Sequence, residues 1–259
     1  MSGFSTVEFA LRDRVALLKL NRPERLNALN LAILSEATSA IDRGLAEGAR
    51  AVVLTGAGRA FCCGADLQDR SIDPNDLGAI IDAAYNPFAR KLAALDIPVI
   101  TAVNGLAAGA GCGLALMGDI SVMARSACLV LASVNVGLVP DAGATWLVAK
   151  SVGRAKALEM ALLGCKLTAE NALAAGLVTR VVYEEAVLGE AMAIARRLAA
   201  GPSVAIGMIR KQVSAALTAS FDEMLEIERT NQETAGRTAD FREAVMAIAG
   251  KRAPKFRGM

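Results

Sequence analysis

From Pro98 to Gly118 the chain carries no charged residue, a run long enough to raise the question of a membrane-spanning helix. Glycines at 105, 109, 111, 113 and 118, with Asn104 among them, argue against that. Glycine inside a helix costs about 1 kcal/mol relative to alanine, and a cluster of glycines marks a turn. The segment instead predicts a buried strand (Val99 to Val103), a glycine-rich turn and the start of a buried helix.

The rest of the chain fits around that unit. Residues 6 to 20 read as a hairpin turning at Arg12 and Asp13, with Val15, Leu17, Leu18 and Leu20 on its second strand. Leu34, Ala37, Ile41 and Leu45 recur at helical spacing within Leu31 to Leu45, and the strand Ala51 to Leu54 follows. A second helix carries Ile80, Ile81, Ala84, Phe88, Leu92 and Leu95. Short strands are expected near Ile120 to Met123 and Leu129 to Leu131. Alternation of this kind predicts an α/β core of parallel strands with helices packed outside. Beyond about Glu184 the pattern is helical throughout, over Ala191 to Leu198, Val204 to Leu217, Phe221 to Thr230 and Phe241 to Ile248.

At 259 residues, rich in Ala, Leu, Val and Gly, the chain can bury a full-sized core. Lys and Arg exceed Asp and Glu by only two, too little for a protein built around a nucleic-acid backbone. Histidine is absent, which removes Ser-His-Asp and Cys-His relays and any His metal ligand. Acid/base chemistry then falls to carboxylates, Lys, Tyr or Cys. The five cysteines form no CxxC pair and suit a reducing cytosol. No signal-peptide pattern opens the chain. The expectation is a cytoplasmic enzyme without a membrane span or bound metal.

Two glycine-rich turns follow strands, where open α/β sheets place ligands. One is Ala60-Phe61-Cys62-Cys63-Gly64-Ala65-Asp66-Leu67; the other runs from Asn104 to Gly113. Read alone, they either permit tight packing or aim backbone N–H groups from two turns at one oxygen, an oxyanion hole. A dinucleotide site fits less well, because Leu114 stands where the third glycine of GxGxxG belongs.

Together with Asn21-Arg22-Pro23 and Leu26-Asn27-Ala28-Leu29, these turns resemble the motifs of the crotonase (enoyl-CoA hydratase/isomerase) superfamily, in the family's order. Gly176-Leu177-Val178 and Lys251 to Phe256 extend the likeness to the C-terminus. The resemblance implies a crotonase-like ββα spiral core that binds acyl-CoA over residues 1–190. A helical trimerisation region would follow over 191–259, in a homotrimer or dimer of trimers. It implies an acyl-CoA thioester substrate and no separate cofactor, coenzyme A being part of the substrate. By motif position the oxyanion donors fall on the N–H groups of Ala65 and Ala110. The coenzyme A path runs along Cys63, Gly64, Ala65, Asp66 and Leu67 and past Ala110 and Gly111, with Arg25 as a phosphate contact.

The two glutamates of the family's hydratases correspond here to Gly113 and Ser133, which cannot do a carboxylate's work. A carboxylate stands nearby instead, Asp141 in Gly137-Leu138-Val139-Pro140-Asp141-Ala142-Gly143. That pattern, with Trp146 and the segment Ala235 to Glu243, resembles the epoxyphenylacetyl-CoA isomerases of bacterial phenylacetate degradation and related enoyl-CoA isomerases. One carboxylate suits an isomerase, since a single base can take a proton from C2 and return it at C4. Apart from the resemblance, Asp141 reads as an N-cap for a helix starting near Ala142. Asp66 and Asp119 are expected to be structural, Trp146 to be core or pocket wall, and the basic C-terminus to be a solvated tail. The alternatives are an enoyl-CoA hydratase with an unconventional carboxylate, and a silent coenzyme A-binding subunit supporting a hydratase partner. The acyl group is expected to be selected by the loop 68–77.

Overall fold

The computed structural model describes residues 3–69, 73 and 75–258; the loop 68–77 expected to select the acyl group therefore lies partly outside the described residues. The hairpin comprises β1 (Val7–Arg12) and β2 (Val15–Leu20), turning through Asp13 and Arg14 at φ +52° and +60°. α1 (Leu31–Ala46), β3 (Ala51–Gly56) and β4 (Ala60–Cys62) follow. α2 (Leu77–Ile80) runs through a wider turn, Ile81–Tyr85, into α3 (Asn86–Ala94). Next come β5 (Val99–Val103), β6 (Leu106–Ala108), α4 (Ala110–Leu116), β7 (Ile120–Ala124) and β8 (Cys128–Val130). α5 (Ala144–Leu163), β9 (Lys166–Thr168), α6 (Ala169–Ala174) and β10 (Arg180–Val182) precede four closing helices: α7 (Val187–Ala199), α8 (Ser203–Ala216), α9 (Phe221–Gly236) and α10 (Ala239–Ala249).

Successive strands alternate between two sheets. A six-stranded sheet has the order β1-β2-β3-β5-β7-β10 and a four-stranded one the order β4-β6-β8-β9. The chain thus lays β3, β5 and β7 in one sheet and β4, β6 and β8 in the other, advancing one strand in each per turn. This is the ββα spiral expected of the core. From β2 to β10 the large sheet is parallel. Every residue of β3 and β5 is buried, as parallel strands covered on both faces require.

α1 packs Ile33, Leu34, Ala37, Ala40 and Ile41 inward, and its N-cap Asn30 side chain accepts from Ile33 N at 3.0 Å. α7 turns Val187, Ala191, Ala195 and Ala199 into the core against β3 and β5. Residue 190 lies inside this helix, and α8 to α10 form the layer beyond it. Among the described residues no single helix is long and apolar enough to cross a membrane.

The N-terminal motif is a clip. Asn27, fully buried, donates through Nδ2 to the carbonyls of Ala57 (2.9 Å) and Ala60 (2.8 Å) and accepts from Arg22 N (3.0 Å). Reaching those partners puts Leu26 and Asn27 at φ +51° and +56°. Arg22 donates to the Ala28 carbonyl (2.7 Å) and pairs with Asp66 (2.8 Å), so the loop after β2 is fastened to the loop after β4.

Candidate active site

Glycine brings the two turns into contact. Gly64 lies at φ +97°, where a Cβ would stand 2.8 Å from the Ala108 carbonyl oxygen and 3.4 Å from Ala110 N. A Cβ on Gly111 would come within 2.2 Å of the Cys62 carbonyl oxygen. The turns therefore do pack tightly, and that packing sets two backbone donors at the edge of one pocket.

Ala110 opens α4, whose N-cap Gly109 has φ +52°, and a first helical N–H has no preceding turn to donate to. Ala65 is passed over by its neighbours: Leu29 N donates to the Gly64 carbonyl (2.7 Å) and Asp66 N to the Leu29 carbonyl (2.8 Å). Among the described residues neither the Ala65 nor the Ala110 N–H has a backbone acceptor.

The pocket they border measures about 120 Å3 and is lined also by Cys63, Leu67, Ala132, Ser133, Val136, Val139 and Asp141. Among the described residues Asp141 is its one carboxylate. Burial pushes the Asp141 carboxyl above the usual range, although its own backbone N–H pulls the other way. Asp141 also acts electrostatically on Cys62 and Tyr85. Burial holds the Cys62 thiol up at about 12 and raises the Tyr85 phenol, so both remain protonated at neutral pH. Tyr85 is buried and donates to the Leu29 carbonyl at 3.0 Å. Nothing in the sequence marks Tyr85, because an aromatic side chain at helical spacing has the signature of a core residue.

The helix-cap alternative for Asp141 does not describe this arrangement. α5 begins at Ala144, its cap position is Gly143 at φ +76°, and no side chain caps it. Asp141 instead contributes its carbonyl, which accepts from Ala144 N at 2.9 Å. Of the positions that correspond to the hydratase glutamates, Ser133 lines the pocket. Gly113 lies on α4 against the Ala142–Ala144 turn, where a Cβ would stand 2.8 Å from the Ala142 carbonyl oxygen.

The other singled-out residues divide. Cys63, Gly64, Ala65, Leu67 and Ala110 line the pocket; Gly111 makes the close contact with Cys62. Arg25 bonds the Gln68 side chain on the exposed side of the same turn. Asp66, placed by the resemblance on the coenzyme A path and also expected to be structural, does not line the pocket; it pairs with Arg22 and accepts from Gln68 N (3.1 Å), and these bonds outweigh burial to lower its carboxyl. Asp119 accepts from Val99 N (2.7 Å) and Arg210. Trp146 is neither core nor pocket wall; it is 43% exposed on α5 and does not line the site. The basic tail is exposed but not free, because Arg257 N and Gly258 N donate to the buried Asp240 carboxylate at 2.7 and 2.8 Å.

A larger cavity of about 500 Å3 lies elsewhere, among Arg14, Arg50, Arg196 and the C-terminal tail. The chemistry is better placed in the smaller pocket, which has both unpaired N–H groups and a carboxylate. Among the described residues no cluster of three or more Cys, Asp or Glu could hold a metal ion.

The enoyl-CoA hydratase/isomerase family pattern matches residues 11–259. The 1,2-epoxyphenylacetyl-CoA isomerase of Escherichia coli K12 is 47% identical over 94% of this chain and 95% of its own. The 2,3-dehydroadipyl-CoA hydratase of the same organism is 34% identical over 95% and 96%. The crystal structure of an enoyl-CoA hydratase from Bacillus anthracis superposes with a TM-score of 0.92 at 29% identity, over 98% of this chain and all of the other. With a ββα spiral, two apposed glycine turns and a family match over nearly its whole length, the chain is an enzyme of the enoyl-CoA hydratase/isomerase (crotonase) family.

Proposed function

We propose that the chain is an acyl-CoA isomerase working with an oxyanion hole and one carboxylate. The observation that carries this reading is the pocket itself, where, among the described residues, two backbone N–H groups without backbone acceptors border a space containing a single carboxylate, Asp141. The thioester oxygen would sit against the Ala65 and Ala110 N–H groups, with coenzyme A running past Cys63 to Leu67 toward Arg25.

Ionised Asp141 takes a proton from C2 of a β,γ-unsaturated acyl-CoA. The electron pair of that C–H bond delocalises into the thioester, forming a dienolate whose oxygen gains charge facing the two donors. The same proton returns at C4, leaving the α,β-unsaturated isomer and the original carboxylate. Donors fixed in advance against a developing oxyanion stabilise the dienolate more than the ground state. The raised Asp141 carboxyl matches the need, since a base closer in basicity to the carbon acid transfers a proton more readily.

The likeness to the E. coli isomerase adds the rearrangement of epoxyphenylacetyl-CoA as a second candidate reaction. We place the enzyme in the cytoplasm, as a homotrimer or dimer of trimers, without a cofactor beyond the coenzyme A of its substrate. The likeness to a hydratase keeps crotonyl-CoA hydration as a competing activity. The test is conversion of a β,γ-enoyl-CoA and hydration of crotonyl-CoA by wild type and Asp141→Asn. Isomerisation should be rapid in wild type, should fall by roughly two or more orders of magnitude in the variant, and should greatly exceed hydration. Equal isomerisation by both proteins would remove Asp141 from the chemistry.

A further inference from the structure

The segment that presents Asp141 has an unusual backbone. Ala142 and Gly143 both lie in the left-handed region, at φ +48° and +76°. Ala142 is one of only a few non-glycine residues to do so among those described, and such a conformation persists only where its surroundings enforce it. The turn is closed by Ala144 N donating to the Asp141 carbonyl at 2.9 Å, and Leu147 N donates to the Gly143 carbonyl at 3.0 Å as α5 begins. Behind it stands α4, with Gly113 facing the turn. A Cβ at position 113 would lie 2.8 Å from the Ala142 carbonyl oxygen and 3.3 Å from both Ala144 N and Ala144 Cβ. The first is closer than real Cβ contacts come, and a backbone carbonyl cannot swing aside as the end of a long side chain can.

We propose that Gly113 is a positioning residue: its bare α-carbon seats the Ala142 carbonyl against α4 and so holds Asp141 at the pocket that Ala65 and Ala110 border. With the backbone as it stands here, a Cβ at 113 leaves no room for the Ala142 carbonyl, so the turn and α4 must separate and Asp141, next to Ala142, moves relative to the two donors. The site is thereby committed to one carboxylate, because a second placed on α4 at this position would displace the first. The inference rests on the reading of Asp141 as the acid/base.

Two measurements separate positioning from a merely structural role. The first is the split between kcat and KM for β,γ-enoyl-CoA isomerisation. Displacing a base by about 1 Å costs on the order of a hundredfold in the chemical step and leaves binding nearly untouched. Gly113→Ala should therefore lose tenfold or more in kcat with KM within about twofold of wild type. The second is the acid limb of the kcat–pH profile. Activity requires ionised Asp141, and burial raises its carboxyl, so the wild-type limb lies above the ordinary carboxylate range. The titratable neighbours, Cys62 on β4, Cys63 on the pocket wall and Tyr85 ahead of α3, are all raised by burial and stay protonated over that range. A turn pushed outward exposes Asp141, and the limb should move down in pH.

Gly113→Glu should lose isomerisation in the same way and gain no hydration of crotonyl-CoA. If Gly113→Ala does not fold, the double variant Gly113→Ala/Ala144→Gly removes the 3.3 Å methyl contact and carries the same expectation. Asp141→Asn is run in parallel. If it retains full activity, the acid/base reading fails whatever Gly113 does. If it is inactive while folded Gly113→Ala has wild-type kcat and an unshifted acid limb, the positioning role alone is overturned. Hydration gained by Gly113→Glu with isomerisation intact overturns it equally.

Discussion

Asp141 is a carboxylate kept partly out of water, and the role of base proposed for it would have a cost in stability. Burial raises its carboxyl in the folded chain, so the folded state binds a proton more readily than the unfolded state does. The favourable contribution of that shift is fully present below the unfolded value of about 4 and is lost as pH rises through the raised folded value. At neutral pH the ionised carboxylate therefore destabilises the fold. An amide carries no charge to desolvate, so Asp141→Asn should melt above wild type at pH 7, by roughly 2 °C for a chain of this size, with the gap closing toward pH 3.5. Scanning calorimetry at the two pH values checks this, and a variant that melts lower at pH 7 would mean that Asp141 makes a stabilising contact. The residue could be picked out from the sequence because it stands in a recognisable motif, the segment Gly137 to Gly143, close to two positions where hydratase glutamates are missing. Gly113 could be seen only as a missing glutamate. That its missing side chain makes room for the Ala142 carbonyl depends on two left-handed residues some thirty positions away, and no local rule foretells them.

The longer elements were legible because each carries its own periodicity. α1, β3 and β5 appear within a residue or two of where their apolar spacing puts them, as does α8, whereas α7 starts four residues earlier than its pattern suggests and α9 runs six residues further. Of the second sheet only β8 (Cys128–Val130) was legible, expected near Leu129 to Leu131. β4, β6 and β9 have three residues each, too few to show an alternation, and they are strands only because distant segments pair with them, as Ala107 does with Leu129 and Leu167 with Leu129. Element docking likewise depends on contacts that spacing does not reveal. Arg210 on α8, its side chain only 7% exposed, pairs with Asp119 ahead of β7 and donates to the carbonyls of Leu92, Ala93 and Leu95 around the end of α3. One planar guanidinium thus ties α8 to two other elements, and a lysine ammonium cannot reproduce that fork. Arg210→Lys should cost roughly 2–4 kcal/mol, since it leaves carbonyls and a carboxylate short of donors. Urea unfolding with an unchanged m-value would measure it, and a loss below about 0.5 kcal/mol would show that the fork is dispensable.

At the scale of the whole molecule, apolar surface is left uncovered, and the helical layer beyond α7 carries much of it. α7 is buried against the large sheet, whereas α8 to α10 leave large apolar side chains in water. Val213 is 63% exposed, Phe221 77% and Ile248 78%, with Ile209, Leu225, Phe241, Val245 and Met246 also exposed. Isolated surface leucines or valines need no explanation, but a succession of them on consecutive helices is what association sites look like. Charge does not oppose association, because the net charge is only +2. The trimer or dimer of trimers implied by the sequence resemblance would use such surfaces, and closed symmetry would repeat the same patches at each contact. Light scattering on the purified protein should therefore give three or six times the 26.8 kDa chain mass. Val213→Asp, Phe221→Asp and Ile248→Asp combined should shift it toward the monomer, since buried carboxylates without partners oppose an apolar interface. None of these three residues lines the pocket that contains Asp141. A folded dissociated variant that keeps its isomerase rate would show that one chain suffices for the chemistry. A wild-type protein that runs as a 26.8 kDa monomer at micromolar concentration would remove the oligomer from the account.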